Sequence, residues 1–90
     1  MLNADAVLID ARREEDYRAG HLEGAISVPV DADDKKQQEA MAGITKDALI
    51  IVYCKSRECP YAEAVATRLQ KNGFRNLSIF KGGWDEWSAR

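Results

Sequence analysis

The 90-residue chain lacks any long apolar run and any excess of charge of one sign. Its longest apolar runs, residues 6–9 and 48–53, are far shorter than the roughly 20 residues that a membrane-spanning helix needs. The formal net charge is -2, and the lysines and arginines are scattered along the chain, whereas nucleic-acid-binding proteins concentrate positive charge. We therefore expect a cytoplasmic protein that binds neither membrane nor nucleic acid.

Cysteine is also scarce. Cys54 and Cys59 are the only two in the chain, which is too few for a disulfide-stapled secreted scaffold. Both lie in one segment with the composition of a loop, so the pair indicates thiol chemistry in a reducing compartment. A structural zinc ion needs four ligands, and His21 is the single histidine. The sequence therefore predicts no metal site.

Short apolar segments alternate with segments of helical character. Uninterrupted apolar runs predict strands buried on both faces of a sheet, here residues 6–9 and 48–53. The shorter β-prone segments 25–28 and 77–80 predict two further strands. Predicted helices cover residues 13–19, 60–72 and a short segment carrying Trp84 and Trp87, while residues 31–42 are predicted as a solvated helix or a partly ordered loop. The alternation predicts one α/β domain over residues 1–90, an open parallel sheet of four to five strands with helices on both faces.

The strongest predicted strand leads directly to Cys54. In an open parallel sheet, ligands bind outside the carboxyl ends of the strands. A short loop that enters a helix can gather its backbone N–H groups around one point and stabilise a thiolate there. Lys55 and Arg57 would stabilise the same charge. The alternative is that Cys54 is a small apolar residue at a strand end.

Motifs spread over nearly the whole chain extend this interpretation. The motifs are residues 10–12, Glu15, Tyr17, the segment from Gly20 to Pro29, the Tyr53-Cys54 pair and the Gly82-Gly83-Trp84 motif. Together they resemble the rhodanese-like domains. The resemblance implies a sulfurtransferase in which Cys54 takes a sulfane sulfur from an anionic donor such as thiosulfate and forms a persulfide. It also implies transfer to cyanide, a thiol or an acceptor protein by a monomer that needs no cofactor.

The same resemblance implies roles for the rest of the loop. The persulfide would be held by the backbone N–H groups of the five residues after Cys54, which are Lys55, Ser56, Arg57, Glu58 and Cys59. The Lys55 and Arg57 side chains would attract the donor. Cys59 stands where the common family loop has arginine, which resembles a subgroup with a second cysteine.

Cys59 leaves two readings open, a resolving thiol or a small residue that packs beneath the loop. The alternative function is a non-catalytic or redox-sensing module in which the Cys54 and Cys59 pair reports oxidation. A phosphatase of related fold would need an arginine six positions after Cys54, and position 60 is proline.

The remaining candidates are interpreted as structural support. Asp10 and Arg12 would brace loops through charge-assisted hydrogen bonds rather than act as acid and base. The ring of His21 would tie down neighbouring backbone instead of serving as a general base. Trp84 and Trp87 are expected in the core, and Tyr61 either lines the mouth of the loop or lies on the surface.

Overall fold

The structure, a computed structural model, describes residues 6–89 as four strands and four helices in strict alternation. The strands are β1 (Val7–Asp10), β2 (Ile26–Ser27), β3 (Leu49–Tyr53) and β4 (Asn76–Phe80). The helices are α1 (Glu14–Ala19), α2 (Asp34–Ala40), α3 (Tyr61–Lys71) and α4 (Gly83–Ser88). Within residues 6–89, no helix is both long and apolar enough to cross a bilayer.

All four strands run parallel in the order β2-β1-β3-β4. The register places Val52 of β3 between Ile9 of β1 and Ile79 of β4. The apolar run at residues 48–53, which predicted a central strand, therefore forms the central strand β3. Its residues are covered on both faces of the sheet. The predicted α/β class and open parallel sheet are confirmed, with four strands in the described part of the chain.

The sheet separates two apolar clusters. The aliphatic face carries Ile9, Ile50, Val52 and Cys54 together with Ala62, Val65 and Leu69 of α3. The aromatic face carries Leu8 and Tyr53 with Tyr17 of α1, Phe80 of β4, and Trp84 and Trp87 of α4. Successive strand residues point to opposite faces, so Tyr53 and Cys54 project in opposite directions. Helices thus cover both faces, as predicted.

The charged segment after β2 forms the first of the two structures predicted for it. Residues 31–42 were predicted as a helix or a partly ordered loop, and the structure forms helix α2 there. Its N-cap residue, Asp33, accepts a hydrogen bond from the backbone N–H of Lys36 at 2.8 Å, which satisfies an otherwise unpaired donor. Gln37 is buried, so one side of this charged segment faces the interior.

Candidate active site

Cys54 directly follows β3 at the carboxyl edge of the sheet. Its side chain is 2% exposed and packs within the aliphatic face. A disulfide joins Cys54 to the half-buried Cys59 at the far side of the loop, with the two Cα atoms 6.2 Å apart. This separation lies within the usual range for disulfides. The two cysteine sulfurs are therefore within bonding reach of each other in this fold.

The loop backbone leaves several donors unused. Within residues 6–89, the N–H groups of Lys55, Ser56, Arg57 and Glu58 donate to no protein acceptor, and the one amide bonded inside the loop is that of Cys59, which donates to the Ser56 carbonyl at 3.2 Å. The eleven-residue helix α3 begins two residues after Cys59, and its N-terminus carries partial positive charge. An anion at this loop would therefore meet free donors and a favourable helix dipole.

A small cavity of about 90 Å³ opens beside the two sulfurs. Of the predicted loop residues, Cys54, Ser56, Arg57 and Cys59 line it, whereas the exposed Lys55 and Glu58 do not. The other lining residues are Ala62, Glu63, Ile79, Phe80 and Lys81. Lys55 instead lines a separate cavity that includes Arg12 and Trp84. The predicted set is thus divided between two sides of the loop.

Lys81 is a site residue that sequence reasoning missed. It follows β4 directly, and β4 pairs with β3 so that Tyr53 lies opposite Phe80. The residues after these two strands therefore reach the same edge of the sheet. A signal was present, because a basic residue at the carboxyl end of a neighbouring parallel strand is placed beside the site. The strand order needed to use that signal came only from the structure.

The start of α4 holds the cysteine loop in place. The backbone N–H of Trp84 donates to the Cys54 carbonyl at 2.9 Å, and that of Asp85 donates to the Lys55 carbonyl at 2.8 Å. Gly83 makes this approach possible, since it has a φ of 61° and a Cβ built there would overlap the Cys54 carbonyl and lie 2.9 Å from the Lys55 carbonyl carbon. The Gly82-Gly83-Trp84 motif is therefore a clamp on the loop.

A buried polar network lies on the other face, beneath the same strand ends. Asp10 is fully buried and its Oδ2 accepts from Arg12 Nη2 and from the Tyr53 hydroxyl, both at 2.8 Å. Arg12 also donates to the Gly20 carbonyl. The Tyr53 hydroxyl accepts from the Leu22 N–H at 3.1 Å. Burial, reinforced by Asp10, raises the pKa of Tyr53 above its ordinary range, so the hydroxyl stays protonated.

His21 and the tryptophans lie around this network. The Nδ1 of His21 is 2.8 Å from the Tyr17 carbonyl, and its ring stacks on the Tyr17 ring with centroids 3.8 Å apart. Trp84 and Trp87 are half-buried against the aromatic face, and Trp84 lies under the Arg12 guanidinium at 4.8 Å. Tyr61 packs against the aliphatic face and is not among the cavity residues.

Metal ligands do not gather in the part of the chain that the structure describes. No group of three or more His, Cys, Asp or Glu side chains within residues 6–89 could hold an ion together. The chemistry available at the loop is therefore that of two cysteines, free backbone amides, the Ser56 hydroxyl, the Glu63 carboxylate and the cations Arg57 and Lys81.

The whole chain, residues 1–90, matches the Rhodanese-like domain family. A rhodanese domain-containing protein of Drosophila melanogaster is 31% identical over 96% of this chain and 85% of its own length. The HTH-type transcriptional regulator Rv0324 of Mycobacterium tuberculosis is 31% identical over 92% of this chain and 34% of its own length. The tRNA uridine(34) hydroxylase of Photorhabdus laumondii is 32% identical, over 98% of this chain and 25% of its own length. The chain thus spans about a third and a quarter of these last two relatives.

Solved structures resemble the fold closely. The BH2092 protein from Bacillus halodurans superposes with a TM-score of 0.83 at 27% identity, covering 96% of this chain and 60% of its own. An EanB variant that carries a cysteine persulfide, solved with ergothioneine, has a TM-score of 0.79 at 26% identity, covering 97% of this chain and 23% of its own. The fold of the described residues therefore occurs in a protein with a sulfur-loaded cysteine.

Proposed function

Because the chain belongs to the rhodanese-like domain family, we propose that it is a sulfurtransferase in which Cys54 carries the transferred sulfur as a persulfide. The Cys54 thiolate attacks the outer sulfur of a donor such as thiosulfate, breaks the donor's S–S bond and expels sulfite. Cyanide, a small thiol or the thiol of an acceptor protein then removes the outer sulfur. This second attack returns Cys54 to the thiolate.

The observation that carries the proposal is the set of unused amides around Cys54. The N–H groups of residues 55–58 donate to no protein acceptor within the described chain, and the following helix adds its dipole. Both the attacking thiolate and the persulfide product carry negative charge at this point. Free backbone donors in this loop would stabilise that charge.

The two basic side chains at the cavity favour an anionic donor, although the exposed Glu63 also lines it. Arg57 is 3.7 Å from Glu86 of α4, so part of its charge is already balanced. Lys81 takes part in no ion pair within residues 6–89, which leaves its ammonium group available to a dianion such as thiosulfate. Both side chains are exposed, so their attraction for the donor will weaken as salt concentration rises.

The proposal requires Cys54 and Cys59 to be thiols at the start of the cycle, since a disulfide blocks the nucleophile. We therefore propose that the protein works in a reducing compartment, the cytoplasm. We also propose that it acts as a monomer. Phosphatase chemistry receives no support from the loop, because Pro60 occupies the position of the arginine that would clamp a phosphate.

The test is release of sulfite when reduced protein, freed of reductant, is mixed with thiosulfate in the absence of an acceptor. We expect close to one equivalent of sulfite per protein from the wild type and from Cys59→Ser, and none from Cys54→Ser. Sulfite release that persists in Cys54→Ser would contradict the proposal. So would a wild type that expels no leaving group from thiosulfate or from any other sulfane donor.

A redox-sensing module is the second candidate, and the closeness of Cys54 and Cys59 favours it. In this function the two thiols close to a disulfide when an oxidant such as hydrogen peroxide is present, and no sulfur is transferred. The same variants separate the candidates. A sensor would form the disulfide with dilute peroxide and release no sulfite from thiosulfate.

A further inference from the structure

We infer that Cys59 turns the proposed sulfur-transfer reaction toward release of sulfide. In this scheme Cys59 attacks the Cys54 persulfide, and the outer sulfur leaves as hydrosulfide while a Cys54–Cys59 disulfide forms. The inference rests on the proposed function, because it needs a persulfide on Cys54. It adds a second activity to the site, the reduction of a sulfane sulfur at the expense of a dithiol.

The position of Cys59 decides which sulfur it attacks. Its Sγ is bonded to the Sγ of Cys54 in the structure, and the two Cα atoms are 6.2 Å apart. The sulfur that Cys59 reaches is therefore the inner sulfur of a Cys54 persulfide. Attack on the inner sulfur expels the outer one, whereas attack on the outer sulfur would only move the persulfide to Cys59.

Burial favours this internal attack over attack by a thiol from solution. Cys54 is 2% exposed and packs among the apolar side chains of the aliphatic face. A solvent thiol can meet the outer sulfur in the small cavity, but the inner sulfur lies behind it. Cys59 lines the same cavity from the opposite end of the loop, so it is already adjacent to the buried atom.

The step balances without an external oxidant. The Cys59 thiol and the persulfide Cys54–S–S⁻ give the disulfide and HS⁻, and the proton of the Cys59 thiol goes to the departing sulfur. The persulfide sulfur is reduced, and the two cysteine sulfurs are oxidised to the disulfide. A dithiol reductant then opens the disulfide, so one turnover converts thiosulfate and a dithiol into sulfite, sulfide and a cyclic disulfide.

The two cysteines differ in how they meet that reductant. Cys59 is half-buried while Cys54 is buried, so an incoming thiolate reaches the sulfur of Cys59 first. Cys54 is then the leaving group, and the free amides of residues 55–58 stabilise its thiolate. A better stabilised leaving thiolate departs faster, and the cycle ends with Cys54 ready for the next donor.

The experiment is a single turnover under anaerobic conditions, with reduced protein and one equivalent of thiosulfate but no reductant. Sulfite, sulfide and the intact protein mass are measured together. For the wild type we expect equal yields of sulfite and sulfide, and a protein two hydrogens lighter. For Cys59→Ser we expect the same sulfite, loss of sulfide release, and a protein heavier by one sulfur. Cys59→Ala serves as a second variant should the serine disturb folding.

The possible outcomes separate the two proposals. If the wild type releases sulfite but keeps the added sulfur and yields no sulfide, the role of Cys59 is overturned while sulfur transfer by Cys54 stands. Sulfide release by Cys59→Ser and Cys59→Ala at the wild-type yield would overturn it in the same way. If neither wild type nor variants release sulfite, the persulfide itself does not form and both proposals fail.

Discussion

The two faces of the sheet stabilise the same strand ends by different physical means. On the aliphatic face, Cys54 is surrounded by apolar side chains and its sulfur lines a cavity. On the aromatic face, the neighbouring Tyr53 is fixed by hydrogen bonds to Asp10 and Leu22. Tyr53, the last residue of β3, thus has a structural role, and Cys54, the next residue, is available for chemistry. The polar network fixes the position of the strand end, which leaves the opposite face free to carry a reactive group.

The aromatic face also holds the cysteine loop in position, so the loop's own side chains contribute little to its conformation. The Cys54 and Lys55 carbonyls accept hydrogen bonds from the start of α4, a helix that packs on the aromatic face. Within the described chain, the N–H groups of residues 55–58 stay free for an anion, while the Cys54 and Lys55 carbonyls are satisfied. The clamp therefore links the two faces, and variants on either side of it distinguish stability from chemistry.

Asp10→Asn should have the largest effect, and it should act on stability. It removes the negative charge that pairs with the buried Arg12 guanidinium, which is 6% exposed. Breaking a buried ion pair from one side costs about 3–5 kcal/mol, a large part of the 5–15 kcal/mol that typically stabilises a small domain. The free energy of unfolding in urea measures the loss.

Glu14→Gln is the matched control for Asp10→Asn. It breaks the exposed ion pair between Glu14 and Arg18, which contributes about 0.5 kcal/mol or less. Equal losses of unfolding free energy in the two variants would show that the buried ion pair stabilises the protein no more than the exposed one does. Sulfite release per folded molecule should be retained in both variants, since neither residue touches the cavity.

Gly83→Ala should act on both stability and chemistry. An alanine there must adopt a φ of 61° and would meet the Cys54 and Lys55 backbone, so we expect a loss of about 2–3 kcal/mol. Displacement of the loop should also slow sulfite release about tenfold, because small misplacements of a reacting group are costly. Stopped mixing with thiosulfate, together with urea unfolding, measures the two effects.

Gly43→Ala separates strain from contact. Gly43 has a φ of 86°, and a Cβ at that position meets nothing within 4 Å. This control should therefore lose about 1–2 kcal/mol from backbone strain alone and keep the wild-type rate of sulfite release. An equal loss of the sulfite-release rate in Gly43→Ala and Gly83→Ala would show that contact between Gly83 and the cysteine loop does not control the reaction.

The sequence predicted most of the aliphatic face and little of the clamp. The apolar run before Cys54 and the spacing of Ala62, Val65 and Leu69 depend on local burial, which hydrophobic periodicity reports directly. The contact of Gly83 with the Cys54 carbonyl depends on how β4 pairs with β3. So does the position of Lys81. Such long-range placement has no local signature, and the family resemblance alone drew attention to the Gly82-Gly83-Trp84 motif.

The charged helix α2 marks a second limit. Its composition gives a weak apolar pattern, since only residues near its end are apolar. Asp33 caps its first turn, and Ala40 and Met41 at its end pack on the aliphatic face. Asp31, Asp33 and Asp34 are all acceptable cap residues, so composition alone does not select one. The packing that selects one of them appears only in three dimensions.

Tyr53→Phe should have a smaller effect than Asp10→Asn or Gly83→Ala, and it is the sharpest test of the two faces. It removes a buried hydroxyl next to Cys54 in sequence but opposite to it in space, and leaves the Leu22 N–H without its acceptor. We expect a loss of about 1–2 kcal/mol near neutral pH and unchanged sulfite release. A large loss of sulfite release would show that the network acts on the chemistry and does not merely position the strand.

The same variant predicts a change in pH dependence. Burial raises the pKa of the Tyr53 hydroxyl, so the unfolded chain gives up this proton at a lower pH than the folded protein does. The contribution to stability is complete below about pH 10, the ordinary tyrosine pKa, and falls by up to about 1.4 kcal/mol per pH unit above it. Unfolding free energies of the wild type and Tyr53→Phe should therefore converge above pH 10. Parallel curves would show that the hydroxyl titrates alike in both states and that burial does not hold its proton.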